Sequence, residues 1–231
     1  MDKKFEMKED EVKIAGMNFK KVAGLFAILA GVLYTVIQFI HPPENLSSVT
    51  SSSWQLVACL SIAMSLSFFI GIIGIYMKQA EVVGWIGLIG FVIFSLFWLI
   101  SMTFSFIEAF VYPLLINDAP KFVEGMLGLF GENKSEVNLG VFTILAPIAG
   151  GLYMLGGLFL GIATFRAKVF PRLAGILLSF AAVVTLATAI IPHPYDRILA
   201  LPMGVVFIWL GYILWFDTNN IWKKQIRYKN K

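Results

Sequence analysis

Residues 84–114 read GWIGLIGFVIFSLFWLISMTFSFIEAFVYPL, and Glu108 is the one charged residue among them. A helix needs about 20 predominantly apolar residues to cross the hydrocarbon core of a bilayer. This stretch, Gly84–Leu114, exceeds that length. It therefore predicts a transmembrane helix.

Five further apolar runs have the length of a membrane span. They are Val22–Ile40, Trp54–Met77, Leu139–Phe165, Leu173–Ile191 and Leu199–Phe216. Hydrophobic residues make up 58% of the chain, against roughly 45–50% in soluble proteins, so the lipid bilayer is the expected solvent. We predict an all-α integral membrane bundle of six transmembrane helices at residues 22–216, between tails at 1–21 and 217–231.

The connections suggest how the six helices pair. Lys78–Val83 and Arg166–Arg172 are short, as expected between antiparallel neighbours. Two helices that run in the same direction begin alike, with Lys21-Val-Ala-Gly24 and Arg172-Leu-Ala-Gly175. This similarity is compatible with three diverged hairpins. The alternative is that such helices merely share a basic residue, small packing residues and a final proline.

The positive charges predict the orientation. Of the 18 Lys and Arg residues, all but Lys121, Lys134 and Arg197 fall on the side of the N-terminus. Because cytoplasmic connections are enriched in Lys and Arg, both termini are predicted to be cytoplasmic. These charges flank apolar runs, so they do not indicate nucleic acid as a partner. The first run is longer than a signal-peptide core and lacks a cleavage site, so we interpret it as a retained span.

Two of the outer connections have predicted local structure. Glu44–Ser53 is rich in Ser and Thr, and its last serines are candidates to cap the second helix. Ile116–Asn138 carries apolar residues at near-helical spacing. That spacing predicts a short amphipathic helix in the outer interface, although three glycines oppose it.

Both histidines occur in the frame His-Pro-x-acid, at His41-Pro42-Pro43-Glu44 and His193-Pro194-Tyr195-Asp196. Proline ends a helix and fixes the histidine where water begins. The acid three residues on can fold back towards the imidazole. If the two frames meet, they form a ligand-binding site for a divalent metal held by His41 and His193 or a proton-sensitive cluster. The alternative is that proline, histidine and acid simply suit a helix end, with Asp196 paired to Arg197.

Glu108 is the second candidate for the ligand-binding site. An ionisable residue inside a span is a functional hypothesis because burying its charge costs free energy. Its position, about 36 Å from Gly84 at 1.5 Å per residue, places it at the level of the histidines. Gln38 would add a polar group there. The alternatives are a partly solvated glutamate at a helix end and a glutamate kept protonated by its apolar setting.

Other motifs have structural interpretations. The stretch from Gly150 to Gly161 contains the step Gly157-xxx-Gly161, which favours close helix packing. Most of the Trp and Tyr residues that border the spans fall near helix ends, where an aromatic belt is expected; they are Trp54, Trp85, Tyr112, Trp209, Tyr212, Trp215 and Trp222. No metal-protease, nucleotide-binding or serine-hydrolase motif occurs in the sequence, so no catalytic residue is predicted.

The chain resembles uncharacterised bacterial and archaeal multi-spanning proteins of the DUF4386 group. The residues that carry the resemblance are Val22-Ala-Gly-Leu, Glu108-Ala-Phe-Val-Tyr-Pro113, Gly156 through Phe170-Pro171-Arg172-Leu-Ala-Gly175, and Leu210-Gly-Tyr-Ile-Leu-Trp215. The resemblance implies a bacterial or archaeal plasma-membrane protein and supplies no catalytic residues.

We therefore predict a non-enzymatic membrane protein with an outward-facing polar site. That site consists of His41, Glu44, Glu108, His193 and Asp196, and it binds an ion, proton or small ligand for sensing or transport. The alternatives are a membrane-embedded enzyme acting on a lipid or isoprenoid substrate, and an assembly or immunity partner with no small-molecule site.

Overall fold

The computed structural model describes residues 2–130, 135–189 and 195–229, and gives only the backbone of residues 2–14, 130, 188–189, 195–196 and 218–229. The described residues form helices and no strand, which confirms the predicted all-α class. The α-helices are α1 Asp2–Ile40, α2 Leu46–Val49, α3 Ser52–Gln79, α4 Gly84–Phe106, α5 Tyr112–Leu115, α6 Pro120–Leu127, α7 Phe142–Ala167, α8 Arg172–Val184 and α9 Leu201–Lys229. A π-helix, Ile107–Val111, joins α4 to α5, and 3-10 helices cover Gly128–Phe130, Thr185–Ala189 and Tyr195–Ala200.

Five stretches of the described helices are long and apolar enough to cross a membrane. They are Ala15–Ile40, Ser52–Gln79, Gly84–Leu115, Phe142–Ala167 and Arg197–Asp217. Their length and composition identify a multi-pass membrane protein. The sixth predicted span is not confirmed, because the apolar helix there, Arg172–Ala187, is shorter. The helix α8 ends at Val184, a 3-10 helix continues the segment to Ala189, and residues 190–194 lie outside the described part.

The long helices form a ring in chain order. Each contacts the next along the chain, from α1 through α3, α4, α7 and α8 to α9, and α9 closes the ring on α1. The helices predicted to pair as hairpins are thus in contact. We call the end that contains His41 the His41 end, and the opposite end, at the turn between α3 and α4, the Lys78 end.

Large apolar side chains cover the outside of the ring. Trp85 is 78% exposed, and Leu114, Leu173 and Ile144 are each more than half exposed. A protein surrounded by water rarely leaves such a continuous apolar surface uncovered. The outer surface therefore fits a hydrocarbon environment.

Glycines bring α1 and α9 into close contact. Gly24 and Gly31 face Gly211 and Gly204, respectively, and the seven-residue spacing in both helices places each pair on one face. A Cβ atom added at Gly24 would lie 2.9 Å from the carbonyl oxygen of Gly211, and one added at Gly211 would lie 2.7 Å from that of Gly24. In lipid, where apolar burial gives little drive to associate, such close backbone approach is what holds helices together.

The predicted Gly157-xxx-Gly161 step packs against α8. A Cβ atom at Gly157 would lie 2.7 Å from the Cβ of Ala182, and one at Gly161 would lie 2.8 Å from the carbonyl oxygen of Gly175. The packing role is therefore confirmed for these two glycines. It is wrong for Gly150 and Gly151, whose added Cβ atoms would meet nothing within 4 Å.

Aromatic residues fill the centre of the ring. Trp98 of α4 stacks on Phe68 of α3 at 3.7 Å between ring centroids, with an interplanar angle of 5°. Phe207 of α9 and Phe94 of α4 pack edge-on or tilted around this pair. The rings join the neighbours α3 and α4 to α9 on the other side of the ring, so they fix the distance across the bundle.

Polar contacts connect the helices at the Lys78 end. Lys78 forms an ion pair with Asp217 of α9, and its ammonium lies 4.9 Å from the ring centroid of Phe170. Beside it, the buried Gln79 side chain donates a hydrogen bond to Thr164 of α7 at 3.0 Å. These bonds tie α3 to its neighbours at the end opposite to the candidate site.

The connections at the His41 end are ordered by caps. The hydroxyl of Ser51 accepts a hydrogen bond from the backbone N–H of Trp54 at 3.2 Å, which confirms that a serine caps the second long helix. The predicted amphipathic helix within Ile116–Asn138 is α6, and it ends at Gly128. The glycine therefore ends this helix and does not prevent it.

Candidate functional site

His41 lies where α1 ends. Its backbone N–H donates a bond to the carbonyl of Ile37 at 3.0 Å, and Pro42, which has no N–H, follows. The imidazole Nδ1 lies 2.8 Å from the carbonyl oxygen of Pro42. At that distance the protonated nitrogen donates to the oxygen, so the proton is assigned to Nδ1.

Arg197 connects His41 to the segment that follows His193. Its Nη2 lies 3.4 Å from Oε1 of Glu44 and 3.3 Å from Nδ1 of His41. Because Nδ1 already donates to Pro42, the guanidinium hydrogen bond goes to Glu44. The Glu44 side chain is thus bound to Arg197, and its predicted approach to the imidazole stays a prediction. The ion pair is partly exposed, so it contributes at most about 1 kcal/mol and mainly sets position.

The second histidine frame is described only in part. His193 lies outside the described residues, and Asp196 belongs to the 3-10 helix Tyr195–Ala200, whose backbone contacts α1. Over residues 15–129, 135–187 and 197–217, no three His, Cys, Asp or Glu side chains are placed to hold a metal ion. The metal site proposed for His41 and His193 stays a prediction.

Trp54 links His41 to Glu108. Its ring lies edge-on to the imidazole at 5.8 Å between centroids, and its Nε1–H donates to the backbone carbonyl of Glu108 at 3.1 Å. Trp54 is 3% exposed. Trp54 thus lies near the start of α3, as predicted, but it is buried, and so is Tyr112, which is 2% exposed.

The π-helix explains why an indole binds that carbonyl. In the π register the N–H of Tyr112 bonds to the carbonyl of Ile107, five residues earlier. The carbonyl of Glu108 would then take its bond from residue 113, which is a proline and has no N–H. A buried carbonyl requires a partner, and the Trp54 indole supplies it. Pro113 and Trp54 together therefore fix the backbone at Glu108.

A cavity of about 450 Å³ lies beside Glu108. It is lined from α1, α4, α7 and the 3-10 helix after α8. Since α1 does not neighbour α4 or α7 in the ring, the cavity lies within the ring, towards the His41 end. Its volume falls in the range of small-molecule sites, roughly 300–1,000 Å³.

The cavity wall is aromatic with a few hydroxyl groups. The rings belong to Tyr34, Phe97, Phe104 and Tyr153, and the hydroxyls to Ser101, Ser105 and Thr185. The hydroxyl oxygens of Tyr34 and Tyr153 lie 3.5 Å apart. Tyr34 lies edge-on to Trp98 at 5.8 Å between centroids, so the central aromatic cluster forms one boundary of the cavity.

Glu108 is the one charged residue that lines the cavity among those described. Within the described residues, its carboxyl group makes no hydrogen bond or ion pair with a side chain. Gln38, predicted to join the site, instead donates to the carbonyl of Tyr34 on its own helix at 3.1 Å. The cavity therefore contains one carboxyl group that has no described basic partner.

A larger depression, of about 790 Å³, lies between the turn after His41 and α6. Lys121 and Glu136 on its wall form an ion pair at 3.0 Å, with side chains 69% and 75% exposed. These charges are solvated and paired with each other. The cavity beside Glu108, whose wall carries a carboxyl group with no described basic partner, is therefore the better candidate site.

The structure thus brings His41, Glu44 and Glu108 to one end of the bundle and adds residues that the sequence analysis missed. Arg197 and Trp54 connect them, and Tyr34 and Tyr153 form the cavity. The charge distribution gave one signal for Arg197. It is a basic residue on the side of the membrane that has few Lys and Arg residues, so a specific acidic partner is expected for it. The pair of tyrosines carried no such signal.

Comparisons with family models, curated proteins and solved structures found no match. The resemblance to the DUF4386 group therefore stays a prediction, and the chain is identified, from its helices, as a multi-pass membrane protein.

Proposed function

We propose that this chain is a plasma-membrane protein that binds a small ligand within its helix ring, from the outer side of the membrane, for sensing or transport. The observation that carries the proposal is the cavity of about 450 Å³ with Glu108, which has no described basic partner, on its wall. A buried carboxylate in a span is costly. Binding a ligand that offsets this cost is a physical reason for it to be there.

The proposal includes a sixth crossing. At 1.5 Å per residue in α8 and about 2.0 Å in the 3-10 helix that follows, Arg172–Ala189 extends about 30 Å, the thickness of the hydrocarbon core. The change from α to 3-10 lengthens the segment. Six crossings put both termini on one side, and the excess of Lys and Arg supports the cytoplasm as that side. The His41 end then faces outward.

The cluster at the His41 end supports a binding role as well. Trp54 holds the Glu108 backbone and contacts His41, while Arg197 joins Glu44 to the end of α1. These contacts hold the π-helix in place next to the cavity. Rigid support of this kind keeps a binding group in position.

The test is the reactivity of a thiol placed in the cavity. Gly150 lines the cavity, and a Cβ atom there would meet nothing within 4 Å, so Gly150→Cys fits without displacing a neighbour. In a Cys59→Ala background, we expect a membrane-impermeant methanethiosulfonate added outside intact cells to modify this variant. Mass spectrometry of the purified protein measures the rate.

Gly151→Cys is the matched control. Gly151 is the next residue, its added Cβ also meets nothing within 4 Å, and it does not line the cavity. The two positions differ by about 100° around the helix. We expect the Gly150→Cys thiol to react at least about ten times faster. Equal rates, or reaction only after the membrane is permeabilised, would contradict an outward-facing cavity.

A further inference from the structure

The cavity beside Glu108 has a definite chemical character. Its wall carries one carboxylate, four aromatic rings and several hydroxyl groups, and none of the described residues that line it is basic. An ionised Glu108 would repel an anion, and no described residue of the wall would pair with one. The wall therefore disfavours anionic ligands.

The aromatic rings distinguish between the remaining ligand classes. A bare metal ion needs a compact set of oxygen or nitrogen ligands, and a cavity of about 450 Å³ walled by Tyr34, Phe97, Phe104 and Tyr153 is too wide and too apolar for that. A neutral apolar molecule would fit the walls but would leave the carboxylate unpaired. An alkylated ammonium group suits both the carboxylate and the aromatic walls, because its charge pairs with the carboxylate and its methyl groups contact the ring faces.

We infer that the cavity binds a small organic cation, such as a quaternary or alkylated ammonium, between Glu108 and the rings of Tyr34, Phe97, Phe104 and Tyr153. This inference rests on the proposed function and names the ligand class for the same site. The Tyr34 and Tyr153 hydroxyl oxygens, 3.5 Å apart, add partial negative charge to the wall. The same ammonium chemistry occurs in free cations and in choline lipid headgroups.

The experiment is calorimetric titration of the protein, purified in an uncharged detergent, with three probes. Choline carries the cation, 3,3-dimethyl-1-butanol has the same shape without charge, and glycerophosphocholine carries the same ammonium next to a phosphodiester, as a lipid headgroup does. We expect choline to bind at least about tenfold more tightly than the neutral alcohol. Binding of choline without glycerophosphocholine assigns a free cation, and equal binding of both assigns a headgroup.

Glu108→Gln is the decisive variant, and Glu124→Gln is its control. Glu124 is an exposed glutamate of α6 at the same end of the bundle, so its substitution removes a charge without touching the cavity. We expect Glu108→Gln to reduce the preference for choline over the alcohol to less than about twofold, and Glu124→Gln to leave it unchanged. Should Glu108→Gln fail to fold by circular dichroism, Phe97→Leu replaces it, and choline binding should then weaken more than alcohol binding.

The opposite results are distinguishable. If the alcohol binds as tightly as choline in the unmodified protein, the cation inference is wrong while the proposed binding function stands. If no probe binds at millimolar concentration, the cation inference is also wrong. The Gly150→Cys thiol then separates the cation inference from the proposed function. A reactive thiol supports an accessible cavity that binds another class of ligand. An unreactive thiol contradicts the proposed function as well.

Discussion

Replacing Trp98 by alanine will destabilise the protein by about 3–5 kcal/mol, the usual cost of deleting a large buried aromatic side chain. Trp98 is 1% exposed and stacks on Phe68 at 3.7 Å. It also contacts Tyr34 and Tyr153 edge-on. The substitution removes the ring that three helices share, and the void adjoins the ligand cavity. Unfolding in SDS, followed by far-ultraviolet circular dichroism, measures the loss.

Trp85→Ala is the control for this prediction. Trp85 lies on the same helix, α4, but is 78% exposed, so its removal creates no void. We expect its free energy of unfolding to stay within about 0.5 kcal/mol of the unmodified protein. A similar loss in both variants would mean that the aromatic centre does not hold the ring together.

Replacing Gly31 by valine will separate α1 from α9 and cost about 3 kcal/mol, the upper part of the usual range for overpacking. A Cβ atom at Gly31 would lie 2.9 Å from the backbone nitrogen of Ile208 and closer still to the carbonyl oxygen of Gly204. Both obstacles are backbone atoms, so no side chain can rotate away. The same SDS unfolding measurement applies.

Gly16→Val is its control on the same helix. A Cβ atom at Gly16 would meet nothing within 4 Å, and valine is a slightly better helix former than glycine. We expect no loss of stability there. If Gly31→Val unfolds no more easily than Gly16→Val, the contact that closes the ring between the first and last long helices is absent in the membrane.

The sequence was sufficient for the class of fold because apolar length and charge distribution report directly on a membrane. Residues 84–114 and four other runs became long apolar helices. It was insufficient for the segment after Arg172, since the change from α-helix to 3-10 helix at Thr185 depends on local geometry that composition does not encode. The closure of the ring by Gly24, Gly31, Gly204 and Gly211 also required the structure, because spacing alone does not name the partner helix.

The sequence predicted the charged residues of the candidate site but not the residues that hold them in position. Charged residues in apolar surroundings, such as Glu108, are conspicuous in a sequence. The residues that position them are not conspicuous, and in the sequence Trp54 resembles any interfacial tryptophan. Its hydrogen bond to the Glu108 carbonyl depends on the π-helix and on Pro113 together. Four separate segments of the chain line the cavity, so no single sequence motif predicts it.

One measurement tests the central claim, that a small cation occupies the cavity beside Glu108, most directly. It is the rate at which a methanethiosulfonate modifies the Gly150→Cys thiol, in the Cys59→Ala background, with and without saturating choline. Our account predicts that choline slows this reaction several-fold, has no effect on the Gly151→Cys thiol, and loses its effect when Glu108→Gln is added. An unchanged rate at the Gly150→Cys thiol, at choline concentrations that saturate calorimetric binding, would place the ligand elsewhere and contradict the account.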